Sequence, residues 1–536
     1  MQEQSKSWKW PVPEFLNIGS ACTDKHLGTS AENHPAVIVE DDQLGTTQIT
    51  YGELSDKTNR FAQALIDMGL ETGDRVLIRL PNSLAYPIAF FGTMKRGALA
   101  VPTSTLLSGK EVAYLAKDSG AKALVIHQNM WDDLKSQVFE DTQLNHVIIA
   151  GNTLPEDAPA NCQLHSLDAL LSEASAINQS HPTRADDPAY LVYTSGTTGY
   201  PKGVLHAHRA LIGRMPASDF WFDFQGDDRI MHSGKFNWTY VLGSALMDPL
   251  YHGKTVIVHE GKNDATLWPR LIAKHKCTIF IGVPTIYRQI IQKTDFSAKD
   301  VPSLRHCMSA GEHLSDEMLT AWRERFEQDV YEAIGMSELS YYISQNKSRP
   351  IRPGAAGFPQ PGHDVQLLDS ELQPVVDGEE GMICLPDNDP GLFLEYWNLP
   401  EATKEAKHDG YFFTGDYARR DQEGYIWFLG RKDDIINTFG YRVSPHEIER
   451  VMKTHDAVAD CVALGEEIGQ DKVIVALCVI KHTNANVTEE ALLAFGDQQL
   501  AKYKTPKRIH FMDDFPRTKN GKVLRKQLLQ TIAGNH

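Results

Sequence analysis

Between residues 36 and 126 apolar runs of strand length alternate with segments of helical periodicity, and this alternation restricts the fold more than any other feature of the sequence. Residues 36–40 predict a strand and 51–70 a helix, with Leu54, Phe61, Leu65 and Met68 on one face and Gly69 near its end. Strands at 75–80, 98–102 and 123–126, separated by helices at 83–95 and 111–119, continue the series. Strands joined through helices pair in parallel, so the expected class is α/β with parallel-rich sheets. With 536 residues the chain also exceeds the ~250–300 at which one hydrophobic core stops growing, so more than one domain is expected. After residue 457 the pattern is smaller: strands at 458–465, 473–481 and 508–512 and a helix at 489–500 predict a compact α+β domain. Residues 151–188 are polar, weakly periodic and rich in proline, and predict a surface excursion.

The excursion leads into residues 189–210, AYLVYTSGTTGYPKGVLHAHRA. An apolar run at 190–193 has the length of a buried strand and gives way to a loop dominated by Ser, Thr and Gly. Gly196, Gly199 and Gly203 permit close backbone approach. Thr194, Ser195, Thr197 and Thr198 supply hydroxyl donors, and Lys202 a positive charge. Such a loop suits a polyphosphate; the plain alternative is a Ser/Gly linker. No Gly-Lys-Ser/Thr closes it, so it is not a Walker loop.

Charge and cysteine usage narrow the classes. A net charge of −17 disfavours nucleic acid as a partner. From residue 434 onward the chain carries 14 basic and 13 acidic residues, and nine of the basic ones fall within 502–526. That cluster is either a solvated helix surface or a lid bringing positive charge to an anionic ligand. Seven scattered cysteines without a CxxC pair point to reduced thiols and a cytoplasmic setting. The first 15 residues lack an apolar core, and no stretch approaches the ~18 apolar residues of a spanning helix.

Several blocks resemble one family. TSGTTGYPKGV, from Thr194 to Val204, is similar to the phosphate-binding loop of the adenylate-forming superfamily: acyl-CoA synthetases, adenylation domains of peptide synthetases, and luciferases. The resemblance implies that Thr194, Ser195, Gly196, Thr197, Thr198, Gly199 and Lys202 surround the polyphosphate of ATP. The turn Ala310-Gly311-Glu312 resembles the adenine-binding turn, and YEAIGMSE at 331–338 the stretch that packs on adenine. These imply nucleotide contacts from Gly311, Glu312, Tyr331, Glu332 and Ser337, with Glu338 holding Mg²⁺, for which a hard carboxylate oxygen is the right ligand. Thr414-Gly415-Asp416 fits the ribose site, with Arg431 reaching the same ribose. Asp433 corresponds to the hinge, which divides the chain into a large domain of several subdomains, 1–432, and a small mobile lid, 433–536.

Beyond the hinge, GYRVSPHEIE at 440–449 implies that Gly440, Tyr441 and Arg442 meet coenzyme A, Arg442 also reaching the phosphates in the other domain orientation. PRTKNGKVLR at 516–525 matches the PxTxxGKxxR motif and implies that Lys522, with Lys202 and Thr194, is catalytic. The aromatic cluster Phe236, Trp238 and Tyr240 most simply means core; in the family this segment lines the acyl pocket, together with Gly282 at a strand's carboxyl end. Acetate-type members carry Trp three residues before the metal-binding Glu, so Gly335 implies a pocket deeper than acetate requires.

The activity these blocks imply is an AMP-forming acid–CoA ligase using ATP, Mg²⁺ and coenzyme A on a small carboxylic acid: a short-to-medium-chain fatty acid or a small aryl acid. The chain is expected to act as a monomer or homodimer. A free-standing adenylation enzyme serving a carrier protein, a luciferase-like oxygenase and an ATP-binding module without turnover stay open. If the reading holds, turnover releases AMP and pyrophosphate; chromatography showing ADP as the nucleotide product would overturn it.

Overall fold

The structure, a computed structural model, describes residues 8–533 apart from 157–158, 160–161, 178, 195–200, 312–313, 432–433, 435, 439–440, 469–472, 484, 501, 503 and 518–522. The chain divides into two compact units. One comprises Met1–Ile351, Pro359–Asp364 and Pro386–Gly410; the other comprises Arg352–Phe358, Val365–Leu385 and Tyr411–His536. The boundary expected at Asp433 falls within the second unit, on a residue outside those described.

The first unit is α/β and holds two sheets. In one, Pro35–Asp41 pairs in parallel with Thr255–Glu260, and the order continues in parallel through Arg229–His232, Ile279–Ile281, His306–Ala310 and Val330–Ile334. The other runs Glu395–Tyr396, Lys202–Ala207, Pro188–Thr194, Leu99–Pro102, Arg75–Arg79, Ala123–His127, His146–Ala150, Gln163–Ser166. Local sequence sets the helix starts. Thr50 accepts the Glu53 N–H while Glu53 takes the Thr50 N–H in return, so the helix Tyr51–Asp67 begins at a reciprocal cap, with Leu54, Phe61 and Leu65 buried on its inner face. Ser108 and Glu111 do the same for Gly109–Ser119, which therefore starts two residues before the periodicity suggests.

The reading of 151–188 as a bare excursion is corrected. It contains the strand Gln163–Ser166, parallel to His146–Ala150, and the helix Leu167–Glu173, capped by Ser166. This edge strand reads Gln-Leu-His-Ser, with no apolar alternation for a periodicity argument to register; its pairing comes from the neighbouring strand. All seven cysteines are unpaired thiols, and no helix among the described residues is long and apolar enough to cross a membrane.

In the second unit Val458–Glu467 and Val473–Lys481 pair antiparallel, and Arg508–Phe511 joins in parallel. Ile448, Met452 and Leu492 bring the helices Pro445–Met452 and Glu489–Gln499 onto one face of this sheet, while Leu528 and Ile532 bring Arg525–Ala533 onto the other. One buried contact ties the layers. Glu449 accepts from Arg525 Nη2 at 2.7 Å and from the Ala463 N–H at 2.9 Å, and Arg525 Nη1 donates to the Ala463 carbonyl at 2.8 Å. Burial alone would raise the Glu449 pKa, but Arg525, with His446 and Lys453, outweighs it and holds the carboxyl down at about 2, against an ordinary 4.5. A depressed carboxylate contributes stability above its ordinary pKa and loses it as pH falls toward the folded value. Glu449→Gln should therefore destabilise this unit by about 3 kcal/mol near neutrality. The gap to wild type should close as pH falls from about 4.5 toward 2. Denaturant unfolding across that window checks this; a constant gap would mean the bond's worth does not lie in the ionised carboxylate.

Candidate active site

The strands Pro188–Thr194 and Lys202–Ala207 are antiparallel neighbours with Thr194 directly opposite Lys202, so the two ends of the Gly/Ser/Thr segment lie side by side. Ser195, Gly196, Thr197, Thr198 and Gly199 lie outside the described residues. Along the far side of the Lys202 strand runs Glu395–Tyr396, with Tyr396 opposite Val204. The Tyr396 ring lies 5.4 Å from Lys202 Nζ, and its hydroxyl donates to Glu338 Oε1 at 2.7 Å. The structure thus brings together Thr194, Lys202 and Glu338, and it does so through Tyr396, a residue no motif singles out.

Glu338 is buried in the turn after the strand Val330–Ile334. Its carbonyl accepts the Phe393 N–H at 2.9 Å, and the Ser337 carbonyl accepts from His206 Nε2 at 2.7 Å. His206 stacks on Tyr190, and burial pushes its pKa down to about 3, so the ring is neutral with its proton on the nitrogen that donates. Glu338 Oε2 accepts no hydrogen bond among the described residues, and among them no group of three or more His, Cys, Asp or Glu is placed to hold a metal. A single half-satisfied carboxylate fits Mg²⁺ that arrives on a polyphosphate, since that ion takes one or two carboxylates plus phosphate oxygens rather than an all-protein cage.

The neighbouring strand ends carry the other expected nucleotide residues. Gly311 follows His306–Ala310 with φ 97°, a conformation that favours glycine, and Glu312 lies outside the described residues. Tyr331 stacks on His306 with ring centroids 4.8 Å apart. Glu332, adjacent on the strand and so on the opposite face, takes the Leu314 N–H at 2.7 Å and braces the segment after Gly311.

The aromatic segment divides. Phe236 is fully buried against Tyr86, as plain core would be, and its N–H bonds to Asn82 Oδ1 at 2.9 Å. Asn82 also donates to the carbonyls of Gly234 and His259, each at 3.0 Å, so this one side chain hangs the whole segment; sequence reasoning passed it by. Trp238 is partly exposed. Tyr240 packs beside Trp221 and Tyr341 on Ile281, Met308 and Ala310, at the carboxyl ends of two parallel strands. His232 is buried and neutral, its pKa pushed down to about 3; Nδ1 accepts the Gly234 N–H and Nε2 donates to Ser244. Gly282 is enclosed by the rings of Phe280 and Tyr287.

Gly335 has a physical reason that the motif comparison did not offer. A Cβ there would come 2.6 Å from the Tyr341 nitrogen and 2.9 Å from its Cα, so the glycine admits the close approach of a backbone.

In the second unit Asp416 lies opposite Arg431 on adjacent antiparallel strands, with Nε to Oδ1 at 3.2 Å. Thr414 anchors the motif by donating to the Ile383 carbonyl and accepting the Asp416 N–H; the Asp416 carboxylate is mostly buried and Arg431 half-exposed. Tyr441 and Arg442 lie on the strand Tyr441–Val443, paired with Ile436–Thr438. Asp433, Gly440 and Lys522 fall outside the described residues.

Residues 26–397 match the AMP-binding enzyme family, and residues 447–522 match the AMP-binding enzyme C-terminal domain. The chain is 32% identical over 526 residues to a benzoate–CoA ligase of Thauera aromatica, covering 96% of each chain. It is 30% identical over 531 residues to a 3-hydroxybenzoate–CoA ligase of Aromatoleum sp. (strain CIB), covering 96% of this chain and 97% of the other. Its fold matches the crystal structure of the anthranilate CoA ligase AuaEII in complex with anthranoyl-AMP, with a TM-score of 0.87, 28% identity and coverage of 98% and 99%. The chain therefore belongs to the AMP-binding enzyme family and is an adenylate-forming acid–CoA ligase.

Proposed function

We propose that the acid this ligase activates is a small aromatic carboxylic acid, an aliphatic acid longer than acetate being the second reading. The observation that carries it is an aromatic wall whose half-buried face is Tyr240, backed by the buried Trp221 and Tyr341, at the carboxyl ends of Ile279–Ile281 and His306–Ala310, where open α/β sheets place their ligands. Flat rings pack well against such a wall in offset or edge-on arrangements. The relatives named above, which act on benzoate, 3-hydroxybenzoate and anthranilate, support the same class.

The roles follow from the chemistry of each group. The acid's carboxylate attacks the α-phosphorus of ATP and pyrophosphate leaves, with Thr194, Ser195, Gly196, Thr197, Thr198, Gly199 and Lys202 restraining the polyphosphate. Glu338 holds Mg²⁺, which when bound offsets the phosphate charge. Asp416, whose two carboxylate oxygens suit paired hydroxyls, and Arg431 orient the ribose. Lys522 stabilises the charge that develops between carboxylate and phosphate. A rotation about Asp433 then withdraws Lys522 and brings in Gly440, Tyr441 and Arg442, so that the coenzyme A thiol attacks the acyl carbonyl and AMP leaves. The unpaired thiols support a reducing, cytoplasmic setting.

Three expected outcomes test this reading. Lys522→Ala should lose adenylation by ~10²–10³, the usual loss for one electrostatic stabiliser, while converting supplied acyl-adenylate to acyl-CoA at close to the wild-type rate. Equal losses in both half-reactions would refute the two-orientation scheme. Across a panel of acids scored by AMP release, benzoate and its ring-substituted forms should exceed acetate and butyrate. Gly335→Ala, because it crowds a backbone, should lower kcat/KM for every acid by about tenfold, in line with the ~1–3 kcal/mol of overpacking. A shift toward acetate at preserved turnover would instead make Gly335 the floor of the pocket.

A further inference from the structure

Arg214 follows the short helix Ala210–Gly213 that leads out of the Lys202 strand. Its side chain is 4% exposed and lies beside a fully buried Asp248. Nε donates to Asp248 Oδ1 at 2.8 Å and Nη2 to Oδ2 at 3.3 Å. Such a pair is a weak source of net stability, because desolvating two charges cancels much of their attraction, so its presence calls for another use. The remaining donors supply one. Nη1 donates to Ser340 Oγ at 2.7 Å and Nη2 to the Tyr341 hydroxyl at 2.9 Å. Both acceptors sit in the turn that carries Glu338.

Two departures from ordinary helix geometry serve this guanidinium. Thr239–Val241 and Asp248–Tyr251 are joined by a π-helical turn at Leu242–Met247. The extra residue it accommodates rotates Asp248 by about 100° relative to an uninterrupted α-helix. Gly243 leaves the space the charge occupies: a Cβ there would lie 1.2 Å from Arg214 Nη2.

We propose that Arg214 is a positioning residue which, held by Asp248, fixes the 337–341 turn and so keeps the Glu338 carboxylate at the Lys202 strand. The inference rests on the reading of Glu338 as the Mg²⁺ ligand. Where His206 and Phe393 hold the turn's backbone at Ser337 and Glu338, Arg214 holds its distal side chains. With that hold removed, Glu338 keeps its bond to Tyr396 but loses the fixed backbone that aims it, and a metal site that needs its ligand within about half an ångström suffers first.

The test is calorimetric binding of α,β-methylene-ATP, whose P–CH₂–P bridge prevents adenylyl transfer to an acid, to the full-length enzyme in Mg²⁺ and in EDTA. The ratio of the two affinities is the readout. Ser340→Ala/Tyr341→Phe removes the turn's two acceptors and leaves the Arg214–Asp248 pair intact. It should cut the Mg²⁺-dependent gain about tenfold, as expected for hydrogen bonds to a charged group, with the affinity in EDTA unchanged. Arg214→Met/Asp248→Leu removes both charges together and should give the same loss at a similar unfolding midpoint. Glu338→Gln should abolish the gain. If Glu338→Gln keeps the gain, the metal reading falls and this inference falls with it. If Glu338→Gln loses the gain but both paired variants keep it, the inference about Arg214 alone is overturned.

Discussion

The hydrogen bond from Tyr396 to Glu338 joins the two sheets of the first unit where their chemistry lies. Tyr396 belongs to the sheet that holds the Lys202 strand, and Glu338 follows a strand of the other. The bond from His206 to the Ser337 carbonyl crosses in the same direction one residue away. Buried polar bonds contribute little net stability when made, yet leaving one unmade costs about 1–3 kcal/mol. Two side by side therefore select one relative placement of the sheet ends where apolar packing alone would tolerate several. The burial that makes His206 neutral serves the same end, because an imidazole with one fixed proton donates in one direction only.

The small domain solves a comparable problem with charge. Of the basic residues clustered near the end of the chain, Lys504 pairs with Glu447, Arg508 with Glu466, Arg517 with Asp460 and Arg525 with Glu449. The cluster is thus neither simply a solvated surface nor simply a lid. Part of it neutralises acids of its own sheet and helices. Arg525 links the two sequence blocks of this domain, GYRVSPHEIE and PRTKNGKVLR, across 76 residues through a buried ion pair to Glu449.

Much of this was legible in the sequence, for identifiable reasons. Strands buried on both faces, such as Arg75–Arg79 and Ala123–His127, read as apolar runs, whereas the reciprocal cap at Ser108 went unread and the helix it starts was placed two residues late. The composition of the hydroxyl-rich loop suited a polyphosphate, while Glu338 and Asp416 stood out only through the resemblance of their blocks to the family's motifs. Asn82, Tyr396, Arg214 and Asp248 did not stand out. Each is an ordinary residue at an ordinary position, and its role exists only through partners brought close by the fold, 154 residues away for Asn82 and 126 for Arg214. The strand Gln163–Ser166 was missed because an edge needs a neighbour more than it needs a pattern.

Gly335 carries a constraint that a family comparison does not reveal. A Trp at this position in acetate-type enzymes suggests that its absence opens space, but here the space is taken by the backbone of Tyr341. The ring of that same Tyr341 packs on Trp221, and its hydroxyl is held by Arg214. One short turn therefore joins the aromatic cluster to the Glu338 carboxylate, and a change that reshapes one displaces the other. The segment from Gly234 to Tyr240 is built differently: it hangs from Asn82 and His232, and neither side chain bonds to the Glu338 turn. Only the start of that segment is separate, however: Tyr240 packs with Tyr341 around Trp221, so its far end and the Glu338 turn share one aromatic cluster and a change in either is felt by the other.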